Sequence, residues 1–212
     1  MQLLNQLDQF FNHRPTTKIA KDLLGKRFTY RHTSAWIVET EAYLGAKDQA
    51  AHAYHHHKAH WNRALYMAPG TIYVFTMFGS NLLNFITQPV GEPQGVLIRA
   101  AQPGNGVLAM KHRRRTSGFN LTNGPGKLAQ AMGISLNLNT RILNQSGMKL
   151  DLNSSQVKHP AKIGASGRIG VPNKGKWTHV PLRYYVTGNP YVSKMPRRKM
   201  NLKTFGWRIN QD

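Results

Sequence analysis

Three apolar segments between residues 71 and 101 limit the fold most strongly, because only short turns separate them. Residues 71–78 lead through Gly79-Ser80-Asn81 into residues 82–87, and a Pro- and Gly-rich turn then leads to residues 96–101. Parallel neighbours need a crossover of a dozen or more residues, so these segments are predicted to pair as antiparallel strands. Further strands are predicted over 28–30, 35–43, 148–152, 162–171 and 181–186, and helices over 3–11, 16–24, 105–115 and 127–132. The predicted fold class is therefore α/β (α+β), with helices beside an antiparallel sheet.

Length and charge limit the organisation of the protein and its partners. The 212 residues are expected to form a single domain over 1–212, with an N-terminal helix within 1–15 and a basic tail over 194–212 at its periphery. The net charge of +21 predicts a polyanionic partner. Nucleic acid is favoured over a membrane, because no apolar run reaches the roughly 20 residues that span a bilayer. The absence of cysteine excludes disulfides, zinc–thiolate sites and thiol nucleophiles, and it fits a cytoplasmic protein without a signal peptide.

Acidic side chains are scarce, and two of them lie in one predicted strand. The sequence has eight Asp and Glu residues, and Glu39 and Glu41 stand two positions apart in an apolar run. Because strand side chains alternate between faces, both are expected on one side of the sheet together with Tyr43. The other acids lie in predicted helices, turns, a strand end or the C-terminus, apart from Asp48, so this neighbourhood is the candidate source of a catalytic carboxylate. The alternative is structural: one glutamate pairs with a buried arginine such as Arg99.

A histidine-rich segment follows the two glutamates. His52, His56 and His60 recur at helical spacing, with His55 and His57 between them. On a helix the first three would share a face that can bind a metal, as a metallohydrolase requires. No clear helical period accompanies them, and no acid or cysteine completes a ligand set. A single histidine that hydrogen-bonds a ligand or a water is therefore the favoured interpretation.

One predicted strand carries three aromatic residues. Tyr73 and Phe75 share a face by alternation, and Phe78 stands next to Gly79 at the strand tip. Core packing is one interpretation of this pattern. The other is nucleic-acid recognition, in which aromatic faces stack on a base and an apolar side chain at a strand tip wedges between base steps.

Two basic residues in glycine-rich segments are candidate phosphate contacts. The segment Gly124-Pro125-Gly126-Lys127 lacks the Walker A spacing, and Leu128 stands where Ser or Thr would follow. A helix N-terminus together with Lys127 can still hold a backbone phosphate. Arg168 is predicted to contact a phosphate or a water network, or to be a surface charge.

Several longer motifs follow one another along the chain. They are VETEAYLG at 38–45, Asp48 with AAH at 50–52, NR at 62–63, PGTIYV at 69–74, GVLIRA at 95–100, NLTNGPGKL at 120–128 and PLRYYV at 181–186. Together they resemble the alkyladenine (3-methyladenine or methylpurine) DNA glycosylase family over residues 16–193. The resemblance implies a single domain around a curved antiparallel sheet. It also implies a monofunctional DNA-repair enzyme, without metal or other cofactor, that flips a damaged purine into a pocket and hydrolyses its glycosidic bond.

The resemblance further implies partners and residue roles. The partner would be double-stranded DNA containing damaged purines, met by a cytoplasmic, nucleoid-associated monomer. Glu41 would be the general base that activates a water for attack on the sugar C1′, Arg99 would hold that water, and Glu39 would be structural. The remaining roles would be a base pocket lined by Tyr43, His52 and Phe75, exclusion of the exocyclic amino group of normal guanine by Asn84, and filling of the vacated helix position by Phe78. From the sequence pattern itself, Tyr73 is expected to join the base pocket, and Lys127 and Arg168 are expected to contact the DNA backbone.

Two features depart from the vertebrate members of the family. Those members carry tyrosines at the positions of Phe75 and Phe78, so the rings are kept here while hydroxyl hydrogen bonds that bear on base preference are lost. The connection around Tyr54 and His55–His57 also differs from theirs. The candidate substrates are 3-methyladenine, 7-methylguanine, hypoxanthine and ethenoadenine. The alternative from another functional class is a non-catalytic basic protein that binds RNA or ribosomes.

Overall fold

The computed structural model describes residues 2–11 and 14–209, which contain a curled antiparallel sheet of eight strands. The strands are β1 (Arg27–Tyr30), β2 (Thr33–Tyr43), β3 (Ile72–Met77), β4 (Ser80–Ile86), β5 (Gly95–Pro103), β6 (Met148–Asp151), β7 (Ile163–Ser166) and β8 (Arg183–Val186). All strand pairs of this sheet are antiparallel. The predicted fold class, a mixed domain on a curved antiparallel sheet, is therefore confirmed.

Strand β2 lies at a fork in the sheet. The main order is β3-β4-β5-β2-β1-β6, and β8 pairs with β2 and with β7. One edge of β2 pairs with β5, while the other pairs with β1 over 33–36 and with β8 over 39–41. Other strands thus pair with both edges of β2, and the side chains of Glu39, Thr40 and Glu41 are packed on its faces with no exposed surface, although they are polar.

Four α-helices flank the sheet in the described part of the chain. They are α1 (Gln2–Phe11), α2 (Thr16–Asp22), α3 (Val107–Arg114) and α4 (Pro125–Met132). Helix α4 begins with Pro125 and ends before Gly133, whose φ of 70° suits the left-handed residue that follows a helix. Each helix lies close to its predicted position. No helix in these residues is long and apolar enough to cross a bilayer.

Both described ends of the chain are packed more closely than predicted. Helix α1 buries Phe11, whose ring meets Phe85 edge-on at a centroid distance of 6.0 Å. The C-terminal segment buries Trp207, which is only 7% exposed and donates its indole N–H to Gln102 at 2.8 Å. The segments predicted to be peripheral, 1–15 and 194–212, are instead anchored by these aromatic side chains, although residues 1, 12–13 and 210–212 lie outside the described residues.

Two other segments differ from the predicted elements. Of the strand predicted over 162–171, only β7 forms, because the chain turns away from β8 after Ser166 and reaches Gly170 with a φ of 79°. Residues 44–70 contain the short 3-10 helices Gly45–Lys47, Tyr54–His56 and His60–Tyr66. Both segments lie beside the end of β2, where the candidate site is found.

Candidate active site

A cavity of about 490 Å³ lies beside the end of β2. This volume falls in the range of roughly 300–1,000 Å³ that is usual for small-molecule sites. The predicted site residues that line it are Tyr43, His52, Tyr73, Phe75, Phe78, Asn84, Arg99 and Lys127. The wall is thus mainly aromatic and apolar, with a few polar groups, which is the usual composition of a small-molecule pocket.

Glu41 lies behind this wall and is completely shielded from solvent. Its Oε2 accepts a hydrogen bond from the Tyr43 hydroxyl at 2.9 Å, and its Oε1 accepts one from the Ile169 amide at 2.8 Å. Arg99 Nη1 lies 3.3 Å from the same Oε1. Burial raises the pKa of the Glu41 carboxyl above its usual value, while Arg99, the Ile169 amide and the Tyr43 hydroxyl act to lower it. The net effect is a buried carboxylate with a higher proton affinity than an exposed one.

Irregular pairing between β2 and β5 places Arg99 beside both glutamates. The register shifts once between Ile37 and Glu39 and again directly after Glu39, and the second shift leaves Arg99 without a partner across the sheet. Such bulges redirect side chains and are common beside active sites. Arg99 reaches Glu39 through Nε and Glu41 through Nη1, each at 3.3 Å. The two glutamates therefore share one side of the sheet, as their spacing predicted.

Glu39 differs from Glu41 in its other partners. Its Oε1 accepts a hydrogen bond from Arg183 Nε at 2.5 Å, and its Oε2 accepts one from the Ser193 amide at 2.7 Å. Neither Arg183 nor Ser193 lines the cavity, whereas the three groups that hold Glu41 belong to residues that do. Glu39 thus ties the chain after β8 to β2, and Glu41 faces the cavity wall.

Arg168 is buried, which corrects its prediction as a surface charge or a DNA-backbone contact. Its Nη1 and Nη2 donate to the two carboxylate oxygens of Asp48 at 2.6 and 2.8 Å, and neither side chain has exposed surface. The guanidinium also lies 4.6 Å from the centroid of the Tyr43 ring. Arg168 therefore binds the carboxylate of Asp48, where its sequence context predicted a phosphate contact.

The Asp48–Arg168 pair fixes two loops around Glu41. Asp48 also accepts hydrogen bonds from two backbone amides of the loop after β2. Arg168 immediately precedes Ile169, whose amide holds the Glu41 carboxylate. Ile169 cannot be recognised from the sequence, because it contributes a backbone N–H that every residue except proline carries.

The aromatic wall is formed by β3 and the loop that carries His52. The rings of Tyr73 and Phe75 are stacked with centroids 5.2 Å apart, and His52 meets Phe75 edge-on at 4.5 Å. His52 Nδ1 lies 2.9 Å from the Tyr73 hydroxyl. Burial lowers the pKa of His52 and raises the pKa of Tyr73, so both are neutral at pH 7 and interact as hydrogen-bonding groups.

Asn84 lies opposite Tyr73 on the neighbouring strand β4. Its Nδ2 donates to the carbonyl oxygens of Tyr73 at 3.2 Å and Leu82 at 3.4 Å. The side chain is almost fully buried, so these bonds fix its position against the cavity. The structure therefore places Asn84 in the cavity wall as an immobile polar group.

Phe78 occupies the tip of the hairpin between β3 and β4. The loop has two residues, since Met77 pairs with Ser80, and it lies one position earlier than the predicted 79–81 turn. Phe78 and Gly79 have φ values of 48° and 72°, the pattern of a type I′ turn. A phenylalanine is disfavoured in this left-handed conformation by about 1–2 kcal/mol. The turn leaves Phe78 99% exposed at the rim of the cavity.

A basic groove of about 890 Å³ begins at the same hairpin. It shares Ser80 and Gly126 with the wall of the cavity. Its basic lining residues are Lys111, His112, Arg113 and Arg115. Lys127 lies nearby in α4, where its Nζ donates to the side-chain oxygens of Asn120 and Asn123. The groove and Lys127 together provide a cationic surface beside the cavity mouth.

The histidine-rich segment does not form the predicted shared face. His55 and His56 have positive φ values, which breaks the helical spacing on which the metal interpretation depended. Within residues 2–11 and 14–209, no group of three His, Asp or Glu side chains is placed to hold a metal ion. His52 alone enters the cavity wall, which favours the single-histidine interpretation.

Known proteins similar to this chain share one description. The model of the family described as methylpurine-DNA glycosylase (MPG) matches residues 9–190. A protein of Staphylococcus saprophyticus is 47% identical over 203 residues, which cover 94% of this chain and 99% of that protein. A protein of Lactiplantibacillus plantarum is 45% identical over 208 residues, which cover 96% and 99%. Both carry the name "Putative 3-methyladenine DNA glycosylase".

Proposed function

The chain belongs to the methylpurine-DNA glycosylase family, and we propose that it is a monofunctional repair enzyme acting on damaged purines in duplex DNA. The reaction hydrolyses the N-glycosidic bond of an alkylated or deaminated purine that has been flipped out of the helix. The products are a free base and an abasic site. One observation carries this proposal: Tyr43, Arg99 and Ile169, which hold the buried Glu41 carboxylate, also form the wall of the aromatic cavity.

Glu41 is the general base of the proposed reaction. A water bound against the carboxylate transfers a proton to Glu41 while its oxygen attacks the sugar C1′. The bond from C1′ to the purine nitrogen breaks, and its electron pair leaves with the base. The raised pKa makes Glu41 a stronger base than an exposed carboxylate, and the nearby Arg99 favours its ionised form.

Access of water to Glu41 requires a local rearrangement. No solvent reaches the carboxylate, because Tyr43, Arg99 and Ile169 cover it. Water reaches Oε2 when the Tyr43 hydroxyl gives up its hydrogen bond as the flipped nucleotide enters. The Glu41 carboxylate is therefore exposed to water only when the cavity is filled, which limits reaction at undamaged sites.

The aromatic wall suits a purine that carries positive charge. Alkylation of a ring nitrogen makes the base cationic, which weakens the glycosidic bond and attracts the base to the faces of Tyr73 and Phe75. Asn84, fixed against the same wall, restricts the shape of the base that enters. This arrangement favours alkylated purines over neutral lesions such as hypoxanthine.

DNA binding uses the hairpin tip and the cationic surface. Phe78 enters the helix position vacated by the flipped nucleotide, where its ring replaces lost base stacking. The basic groove and Lys127 contact phosphates on either side of the cavity mouth. With a net charge of +21, the protein should bind undamaged DNA while it searches, and that binding should weaken steeply with salt.

The variant Glu41→Gln tests the catalytic assignment. The substitution preserves the size of the side chain and removes the carboxylate that accepts the proton. The variant protein should therefore bind a lesion-containing duplex, while release of the purine falls by at least about a hundredfold, the lower range for general base catalysis. The matched control is Glu92→Gln, which changes an exposed acid and should retain both activities. The measurements are gel-shift affinity and single-turnover release from a methylated duplex. Full base release by Glu41→Gln would remove Glu41 from the mechanism.

A second outcome would favour a different class of function. If the unmodified protein binds methylated DNA but releases no base, with EDTA or with added metal ions, the large positive charge would instead indicate a non-catalytic nucleic-acid-binding protein. Affinities for duplex DNA and for structured RNA, measured at the same salt concentration, would then identify its partner.

A further inference from the structure

A second hollow adjoins the cavity at the outer edge of the sheet, beside β3. It has a volume of about 510 Å³ and shares His52, Phe75 and Met77 with the cavity. Its other side includes Trp61 and Arg63, from the 3-10 helix His60–Tyr66. We refer to it as the Trp61 hollow. Neither the base pocket nor the basic groove accounts for it.

Trp61 is exposed in a way that is unusual for this chain. Among the described large hydrophobic side chains that are exposed, only Trp61 and Phe78 are aromatic. Trp61 is 48% exposed, and its ring contacts His52 in the cavity wall. Phe78 lines the cavity and Trp61 contacts its wall through His52, so a function in binding explains their exposure better than core packing.

The ring of Trp61 is held in place. It meets the His52 ring edge-on at a centroid distance of 5.0 Å. The next residue, Asn62, is buried and donates to the carbonyl oxygens of His52 at 3.2 Å and His57 at 3.0 Å. The side-chain oxygen of Asn62 also accepts the Ala59 amide hydrogen at 2.7 Å. A fixed aromatic face loses little entropy when a flat ligand stacks on it.

The charge around the Trp61 hollow selects an anionic ligand. His60 and Arg63 line it and contact each other through their side chains. None of the eight acidic residues of the sequence is among its lining residues. A flat apolar face next to an arginine matches a nucleotide, which combines a base with a phosphate.

We propose that the Trp61 hollow binds the nucleotide next to the flipped one on the same DNA strand. Its base stacks on Trp61, and its phosphate lies beside Arg63. The inference rests on the proposed function, since it assumes that a damaged nucleotide occupies the adjoining cavity. Phe78 fills the vacated position inside the helix, and Trp61 offers the neighbouring nucleotide a further stacking face beside the cavity. Consecutive nucleotides are covalently linked, so their binding sites must be adjacent. The cavity and the Trp61 hollow meet this condition, because they share part of their walls.

The test combines protein variants with DNA from which single bases are missing. The probe is a duplex with one tetrahydrofuran abasic-site analogue, which has no glycosidic bond to cleave. In further duplexes a second analogue replaces the 5′ neighbour, the 3′ neighbour or a nucleotide several pairs away on the same strand. The proteins are the unmodified chain, Trp61→Ala, Trp61→Phe and the control Leu202→Ala, which changes an exposed apolar residue that does not line the cavity or the hollow.

Stacking on Trp61 predicts a specific pattern of affinities. Trp61→Ala should weaken binding to the single-analogue duplex between about 5-fold and 100-fold, while Trp61→Phe keeps most of the affinity. The loss of affinity caused by Trp61→Ala should disappear on one of the two duplexes in which the second analogue replaces a neighbouring nucleotide. It should persist on the duplex in which the second analogue replaces the distant nucleotide. DNA should also quench tryptophan fluorescence in the unmodified protein and do so much less in Trp61→Phe. Leu202→Ala should bind as the unmodified protein does.

Two results would overturn the inference. One is unchanged affinity of Trp61→Ala for the single-analogue duplex. The other is an equal loss on every duplex, which would indicate disturbed packing around His52 and no contact with a base. Neither result bears on catalysis, because base release from methylated DNA is measured separately with the unmodified protein. Conversely, absence of base release with the neighbour-specific pattern intact would refute only the proposed reaction.

Discussion

Replacement of Asp48 by asparagine tests whether the Asp48–Arg168 pair positions the loops around Glu41. In the structure the Asp48 carboxylate accepts hydrogen bonds from the amides of Leu44 and Ala50, both at 3.0 Å, and from two nitrogens of Arg168 at 2.6 and 2.8 Å. Asparagine has nearly the same shape but only one acceptor oxygen. One pair of donors would therefore face an NH₂ group, and the buried guanidinium would lose its counter-ion.

The stability cost follows from the burial of this pair. Removal of one partner from a buried ion pair costs about 3–5 kcal/mol, because the other charge remains unpaired. For a domain of this size, each kcal/mol lowers Tm by roughly 2–4 °C, so Asp48→Asn should lower Tm by about 6–20 °C. The double variant Asp48→Asn/Arg168→Met should lose less than the sum of the two single variants, because both charges are then absent.

The same change should alter catalysis through Ile169. Its amide donates to Glu41 and acts to lower the pKa of that carboxyl. When the neighbouring Arg168 is released, this bond weakens and the pKa of Glu41 rises further. Since the reaction needs ionised Glu41, base release by Asp48→Asn should begin to fall at a higher pH than in the unmodified protein as the pH is lowered. Urea denaturation measures the stability effect, and single-turnover release at a series of pH values measures the catalytic one.

The chain offers a matched control in the ion pair between Arg14 and Asp22. The Asp22 side chain is 42% exposed, so Asp22→Asn should change stability by less than about 1 kcal/mol and leave the pH profile unaltered. If Asp48→Asn melts within about 2 °C of the unmodified protein, the assumed burial penalty is wrong. If it is destabilised but keeps the same pH profile, the pair stabilises the fold without positioning Glu41.

Two further predictions concern the hairpin tip and the pH dependence of the unmodified enzyme. Phe78→Asn should raise stability by about 1 kcal/mol, because asparagine tolerates the left-handed conformation at this position, while base release falls because the wedge is lost. A lower Tm, or full base release, would contradict this trade between stability and activity. Base release by the unmodified protein should fall as the pH is lowered through the pKa of Glu41, which burial raises above the usual value of 4.5. An acidic limb centred at or below that value would show that Glu41 is not the titrating base.

The sheet was predictable because its pattern is local. Short turns between 71 and 101 dictated antiparallel pairing, and β3, β4 and β5 form at the expected positions. Alternation also placed Glu39 and Glu41 on one side of β2, where both meet Arg99. These features depend on residues close in sequence or on the period of a strand, and a single sequence carries both kinds of information.

The contacts that complete the site were not predictable, since they join distant residues or use backbone groups. Arg168 resembled a surface charge because nothing near it in the sequence shows that Asp48, 120 positions earlier, binds it. The register shifts that place Arg99 beside both glutamates cannot be recognised from the amino-acid composition of β2 and β5. The burial of Trp207 is not predictable from its basic neighbours, which are typical of a peripheral tail. The exposure of Trp61 beside the cavity is likewise visible only in the folded chain.

The two glutamates of β2 show how acids on one face of a strand acquire different tasks. Arg183 and the Ser193 amide hold Glu39 in place, so Glu39 in turn fixes Arg99 through Nε. With Nε held in this way, Nη1 of Arg99 points to Glu41 at the cavity wall. Glu39 therefore orients Arg99, and Arg99 supports Glu41. Because Arg99 has a carboxylate on each side, it can keep Glu41 ionised without itself becoming an unpaired buried charge, which explains why so basic a chain keeps both acids in one strand.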